Sequence, residues 1–140
     1  MMQARQIRPN AASERQALRK RIGQMYAAFN DEDWQKCYSM LDPKLRESGK
    51  VAASVYAEQL EAFKHVYGEI KPWHLRVSLH LKERNSQQES RPFAYVYVVW
   101  QDSAHGFHMF RERWIKHAGH WYTRVAGLVP NQQHSVRNEL

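Results

Sequence analysis

Apolar and polar positions change period once along the chain. Up to Gly68 the apolar residues recur at near-helical spacing, and after Pro72 they alternate. Leu18, Ile22, Met25, Tyr26 and Phe29 form one stripe and predict an amphipathic helix, which Ser13 and Gln16 would open as a capping box. Asn30-Asp31 closes that helix, and Asp31 or Asp33 caps a second, with Trp34, Cys37, Tyr38 and Leu41 as its buried stripe and Pro43 as its stop. Residues 43–50 are polar and read as a loop or a small strand pair. Ser54 is placed to cap a third helix along Tyr56, Leu60, Phe63 and Tyr67, with Gly68 as a left-handed C-terminal residue.

From Trp73 the alternation predicts strands. Trp73, Leu75, Val77, Leu79 and Leu81 make a dry side, and His74, Arg76, Ser78, His80 and Lys82 a wet one. A polar connector, Glu83 to Arg91, leads to Phe93–Trp100, which is apolar on both alternations and so reads as a central strand covered on both sides. Phe107 to Leu128 then folds back on itself across His117-Ala118-Gly119-His120 as an antiparallel ribbon. The register depends on the turn. A glycine bulge with Gly119 left-handed sets Trp114 against Tyr122 and Glu112 against Arg124, whereas a two-residue turn sets Glu112 against Val125. Helices first and a strand meander afterwards describe an α+β domain over residues 13–129, between a basic disordered arm, 1–12, and a polar tail, 130–140.

Composition alters this picture little. A chain of 140 residues, 43% hydrophobic, fills one domain's core, and no apolar run is long enough for a membrane span. A single cysteine, Cys37, admits no intramolecular disulfide, which favours a reducing, cytoplasmic setting. The net charge of +7 raises the question of an anionic partner, but much of it is local: Arg5, Arg8, Arg15, Arg19, Lys20 and Arg21 face only Glu14 within the first 21 residues. That arm lacks the apolar segment of a secretory signal.

Three helices, a Gly68 stop, and strands ending in an Arg-rich hairpin with Trp114, Gly119 and Trp121 together resemble the nuclear transport factor 2-like superfamily, which includes ketosteroid isomerase and scytalone dehydratase. The resemblance implies a cone, of the cystatin-like kind, in which a curved antiparallel sheet wraps three N-terminal helices. It also implies a cavity at the open end and a homodimer through the sheet. In the isomerases a carboxylate abstracts a proton while a tyrosine and a protonated acid stabilise the enolate. Tyr26 is similar in placement to that tyrosine. The base is expected on a short strand after the second helix, where this chain offers Asp42 and Glu47, and Asp42 before Pro43 reads as a turn residue. The principal acid is therefore missing.

The dehydratases rely on histidine, but His74 and His80 fall on a wet alternation and His117 and His120 flank a turn. On a strand, residues three apart, as in His105-x-x-His108 and His117-x-x-His120, point to opposite faces and only a loop could bring them together, so no metal is expected, and no cofactor motif occurs. Cys37 lies on a buried stripe and reads as a core thiol. Arg111 and Arg113 alternate with aromatic neighbours, yet Phe110 and Trp114 point to the opposite face, so nucleic acid is not the expected partner.

The expectation is a non-catalytic module for interaction or for binding a small hydrophobic or acidic ligand, with an aromatic pocket drawn from Tyr26, Tyr56, Tyr95, Tyr97, Glu112, Trp114 and Arg124. A paired Glu112 and Arg124 would be a structural cross-strand bridge, and a buried uncompensated Glu112 would suit a proton-transfer enzyme. A third expectation is an electrostatic module for an anionic partner.

Overall fold

Asn10 opens the first helix. Its side-chain oxygen accepts from the amides of Ala12 at 2.8 Å and Ser13 at 3.2 Å, and α1 runs Ala11–Asn30. Ser13 is thus in the first turn and not the cap, its hydroxyl donating back to the Asn10 carbonyl at 3.1 Å. Asparagine caps as well as serine does, and Ala11-Ala12 favours helix, so the ordered domain reaches into the expected arm. The computed structural model describes residues 10–81 and 91–125. The rest of the arm, most of the polar connector and the expected tail lie outside the described residues.

Among the described residues four helices precede the sheet where three were expected. Asp33 caps α2, Trp34–Ser39, by accepting from the Lys36 amide at 3.1 Å. Pro43 does not stop that helix but begins another. Asp42 accepts from the Lys44 amide at 3.2 Å and proline occupies the first turn of α3, Pro43–Glu47, where a missing N–H costs nothing. The fourth helix, α4, runs Ala53–Tyr67 from an extended Ala52, so Ser54 sits inside it and does not cap it. Gly68 ends α4 at φ 72°, ψ −152°, a region essentially restricted to glycine.

The strands β1, Lys71–His80, β2, Phe93–Gln101, β3, Phe107–His117, and β4, His120–Val125, form one open antiparallel sheet in the order β1-β2-β3-β4. Beyond β4, Leu41 bridges Thr123 in parallel, and the Asp42 amide donates to the Thr123 carbonyl at 2.9 Å. One face packs on the helices. Val77, Ala94, Val96, Val98, Trp100, Trp114 and Trp121 meet Leu18, Ile22, Met25 and Phe29 of α1 and Leu60 and Phe63 of α4 in a single core. Trp100, Trp114 and Trp121 are fully buried, and burial of an indole contributes roughly 4–6 kcal/mol of transfer free energy.

Two strand expectations change. Pro72 pairs with Trp100 and His74 with Val99, so Trp73 is the extra residue of a bulge and leaves the dry side, 62% exposed. In β2 only Ala94, Val96, Val98 and Trp100 are fully buried, while Phe93, Tyr95, Tyr97 and Val99 are half-buried on the outer face. Among the described residues that second side is covered by side chains of the neighbouring strands and not by another layer.

Candidate functional site

The expected pocket residues separate into three places. Tyr26, Glu112, Trp114 and Tyr56 lie in the interior between helices and sheet. The Tyr26 hydroxyl donates to Oε2 of Glu112 at 2.6 Å, and the Trp114 indole N–H donates to Oε1 at 2.9 Å. Both carboxylate oxygens are therefore engaged by neutral donors. Burial and the neighbouring Glu112 push the Tyr26 hydroxyl well above its ordinary pKa, so it remains a donor at any physiological pH. Tyr56 is 2% exposed, and its hydroxyl has no hydrogen-bond partner among the described residues. Cys37, also fully buried, has its thiol pushed up to about 12 by burial first and by Asp33 second, as suits a core residue and not a nucleophile.

Arg124 is elsewhere. The turn is two residues long, with Ala118 at φ 51° and Gly119 at φ 87°, and His117 pairs directly with His120. Trp114 therefore faces Thr123 and not Tyr122. A bulge follows, so that Arg113 takes Val125 and Arg124 is the unpaired extra residue. Neither proposed partner of Glu112 stands opposite it. Arg124 instead donates to Oδ2 of Asp42 at 2.9 Å, while Arg91 grips the same carboxylate with two nitrogens at 2.8 and 3.0 Å. Burial alone would raise the Asp42 carboxyl, but the Arg91 hydrogen bonds, the Lys44 amide and both guanidinium charges together hold it below the usual range. Asp42 is thus a helix cap and the centre of an ion cluster tying α3, the segment before β2, and β4. Beside Pro43 it reads as a turn residue, and its cap on α3 corrects that expectation. Its ion partners, 49 and 82 residues away, carried no local signal.

Tyr95 and Tyr97 occupy the third place, the outer face of the sheet. Arg76 of β1 lies over the Tyr97 ring at 5.0 Å, Arg111 of β3 over Tyr95 at 4.8 Å, and Arg113 over Phe93 at 5.4 Å. His80 stacks on the other partner of that set, with its ring 4.7 Å from Phe93 and 10° from parallel. Phe110 and Trp114 do face away from these arginines, but the rings that serve them come from β2, one strand across. A search along β3 alone misses this; pairing β3 with the doubly apolar β2 would have found it.

The electrostatics of this face are one-sided. Its outward positions on β1, β2 and β3 include Lys71, His74, Arg76, His80, Arg111 and Arg113 and no aspartate or glutamate. None of the three arginines has a carboxylate partner among the described residues, whereas Arg91, Arg124, Lys64 and Lys116 all do. Stacking covers one flat face of each guanidinium group and leaves in-plane N–H donors of Arg76 and Arg111 open to oxyanions, while Nε of Arg113 is buried with no partner among the described residues.

A cleft of about 580 Å³ opens between α1, at Gly23, Tyr26, Ala27 and Asn30, and the segments around Lys71 and Ser103. Asn30 is already used there, bridging the amide and carbonyl of Ile70 at 2.9 and 2.8 Å. His108, beyond it, is held by Asp102 at 2.8 Å. Among the described residues no helix is long and apolar enough to cross a membrane. Comparison with protein-family models, with characterised proteins and with solved structures gives no match.

Proposed function

We propose that this chain is a non-catalytic interaction module of nuclear transport factor 2-like architecture, which binds an anionic partner on the outer face of its sheet. The observation that carries this is the set of Arg76, Arg111 and Arg113, each stacked on a ring and none paired with a carboxylate among the described residues, on a face whose outward positions on β1, β2 and β3 hold no acidic residue. The order of elements, with helices on one side of an antiparallel sheet, supports the architecture. A proton-transfer enzyme is the weaker reading. Of the buried acids among the described residues, Asp42 is held by Arg91 and Arg124, and Glu112 accepts from Tyr26 and Trp114 within the packed interior, where a base would need an oxygen aimed at substrate. The homodimer implied by the resemblance would press three arginines from each copy together with no acid from the outward positions of β1, β2 or β3 between them, which like-charge repulsion disfavours.

Retention of the full chain on heparin over a salt gradient tests the reading. Replacing Arg76, Arg111 and Arg113 together by serine should bring elution to markedly lower salt, while Arg5→Ser with Arg8→Ser should change it little. The opposite result, with the arm carrying the retention and the sheet none, would remove the proposal.

A further inference from the structure

We infer that the partner of this outer face is a single-stranded nucleic acid, whose phosphates are taken by Arg76, Arg111 and Arg113 and whose bases stack on the platform those arginines share with β2. The inference rests on the anionic-partner reading and names its chemistry.

Charge alone would fit any polyanion. The rings narrow it. Phe93, Tyr95 and Tyr97 project from alternate positions of one strand, so they repeat at about 7 Å along a surface two residues per step. Each carries a guanidinium from a flanking strand: Arg113, Arg111 and Arg76 in turn. Aromatic rings and guanidinium planes are the two surfaces on which unpaired bases stack, and stacking accepts any base because every base has a π-face. A repeated cation-on-ring unit therefore meets a chain whose own repeat is one phosphate and one base. The platform continues past β2 at one end. Trp73, freed by its bulge, sets its ring edge-on to Phe107 at 5.3 Å, and both remain more than half exposed beside Met109.

Other anionic partners fit less well. A duplex hides its base faces and is read by an element that enters a groove, whereas this surface is the broad side of a sheet. An anionic membrane is met by an amphipathic helix or a lysine-rich cluster that pushes bulky apolar groups between lipids, whereas here the central rings are half-buried under arginine. An acidic protein surface would use the charges and leave the regular row of rings without a purpose.

Fluorescence anisotropy with labelled oligo-U and oligo-dT of about a dozen nucleotides tests this directly. Both should bind, with affinity falling as salt rises by about 0.7 in the logarithmic slope for each arginine engaged. A preference between the two oligomers then tells RNA from DNA. The decisive variant keeps every charge: Tyr95→Leu with Tyr97→Leu should weaken oligonucleotide binding about fivefold or more while leaving heparin retention as it was. Tyr95→Phe with Tyr97→Phe keeps the rings and should bind like the native chain, which separates loss of stacking from loss of fold. If the leucine pair binds oligonucleotides as well as the native chain does, or if duplex or phosphatidylglycerol vesicles outcompete the single strand, the inference is overturned. Heparin retention that still depends on the three arginines would leave the anionic-partner reading standing alone.

Discussion

Tyr26 and Glu112 are 86 residues apart in sequence and joined by a 2.6 Å hydrogen bond, from the hydroxyl of one to Oε2 of the other, at the place where α1 crosses the inner face of the sheet. Glu112 is 1% exposed and Tyr26 2%. A carboxylate so buried is tolerated only where donors replace the water it has lost, and Tyr26 and Trp114 supply two of them.

Tyr26→Phe removes one donor and no volume to speak of. It should destabilise the protein by about 2 kcal/mol, the range for a hydrogen bond to a charged group. Glu112→Gln should also destabilise it, and the double variant should cost less than the sum, with a coupling of about 1 kcal/mol or more. Urea unfolding monitored by tryptophan fluorescence measures all four stabilities. Strict additivity would mean the two side chains do not support each other.

The Asp42 cluster should make the fold acid-sensitive. Its folded-state pKa lies below the unfolded value, which is about 3.9 for an aspartate, so the unfolded chain binds the proton more readily. The stabilisation is fully present above the unfolded value and is lost as pH falls through that value and then through the folded one. At neutral pH, Asp42→Asn should cost about 2–4 kcal/mol, because Arg91 and Arg124 lose their shared counter-charge. Thermal melts of the two proteins from pH 7 down to the acid limit should show that gap closing as the native aspartate takes up its proton. A gap independent of pH would assign the cost to geometry and not to charge.

The hairpin turn carries a correctable strain. Ala118 sits at φ 51°, where an alanine Cβ is crowded and asparagine is at ease, and Gly119 follows at φ 87°. Ala118→Asn makes the preferred Asn-Gly pair and should raise stability by about 0.5–1 kcal/mol. Ala118→Val should lower it. Unfolding midpoints of the two variants that moved in the same direction would contradict the two-residue turn.

Much of the fold could be read locally because each element announces itself within a few residues. The Leu18–Phe29 stripe, the Asp33 cap, the Gly68 stop and the switch of period after Pro72 all describe backbone that the structure forms. Local signals mislead where two are equally good, as with Asn10 and Ser13 at one helix start, or where Pro43 after Asp42 is as fit to begin a helix as to end one. The site was harder to read. The seven residues that aromatic or charged character singles out in the sequence occupy both faces of the sheet and its edge.

What the sequence determined by itself is the set of amphipathic segments and their order, since burial of a stripe or an alternation needs only the spacing of side chains along one segment. Tertiary structure alone decided which polar groups meet. A bulge at Trp73 turns that ring out of the core, another at Arg124 shifts the pairing of β3 with β4 by one residue, and in the folded chain Arg124 meets Asp42 while Glu112 meets Tyr26. The arginine and ring rows of the outer face likewise exist only once β1, β2 and β3 lie side by side, because each cation and its ring belong to different strands.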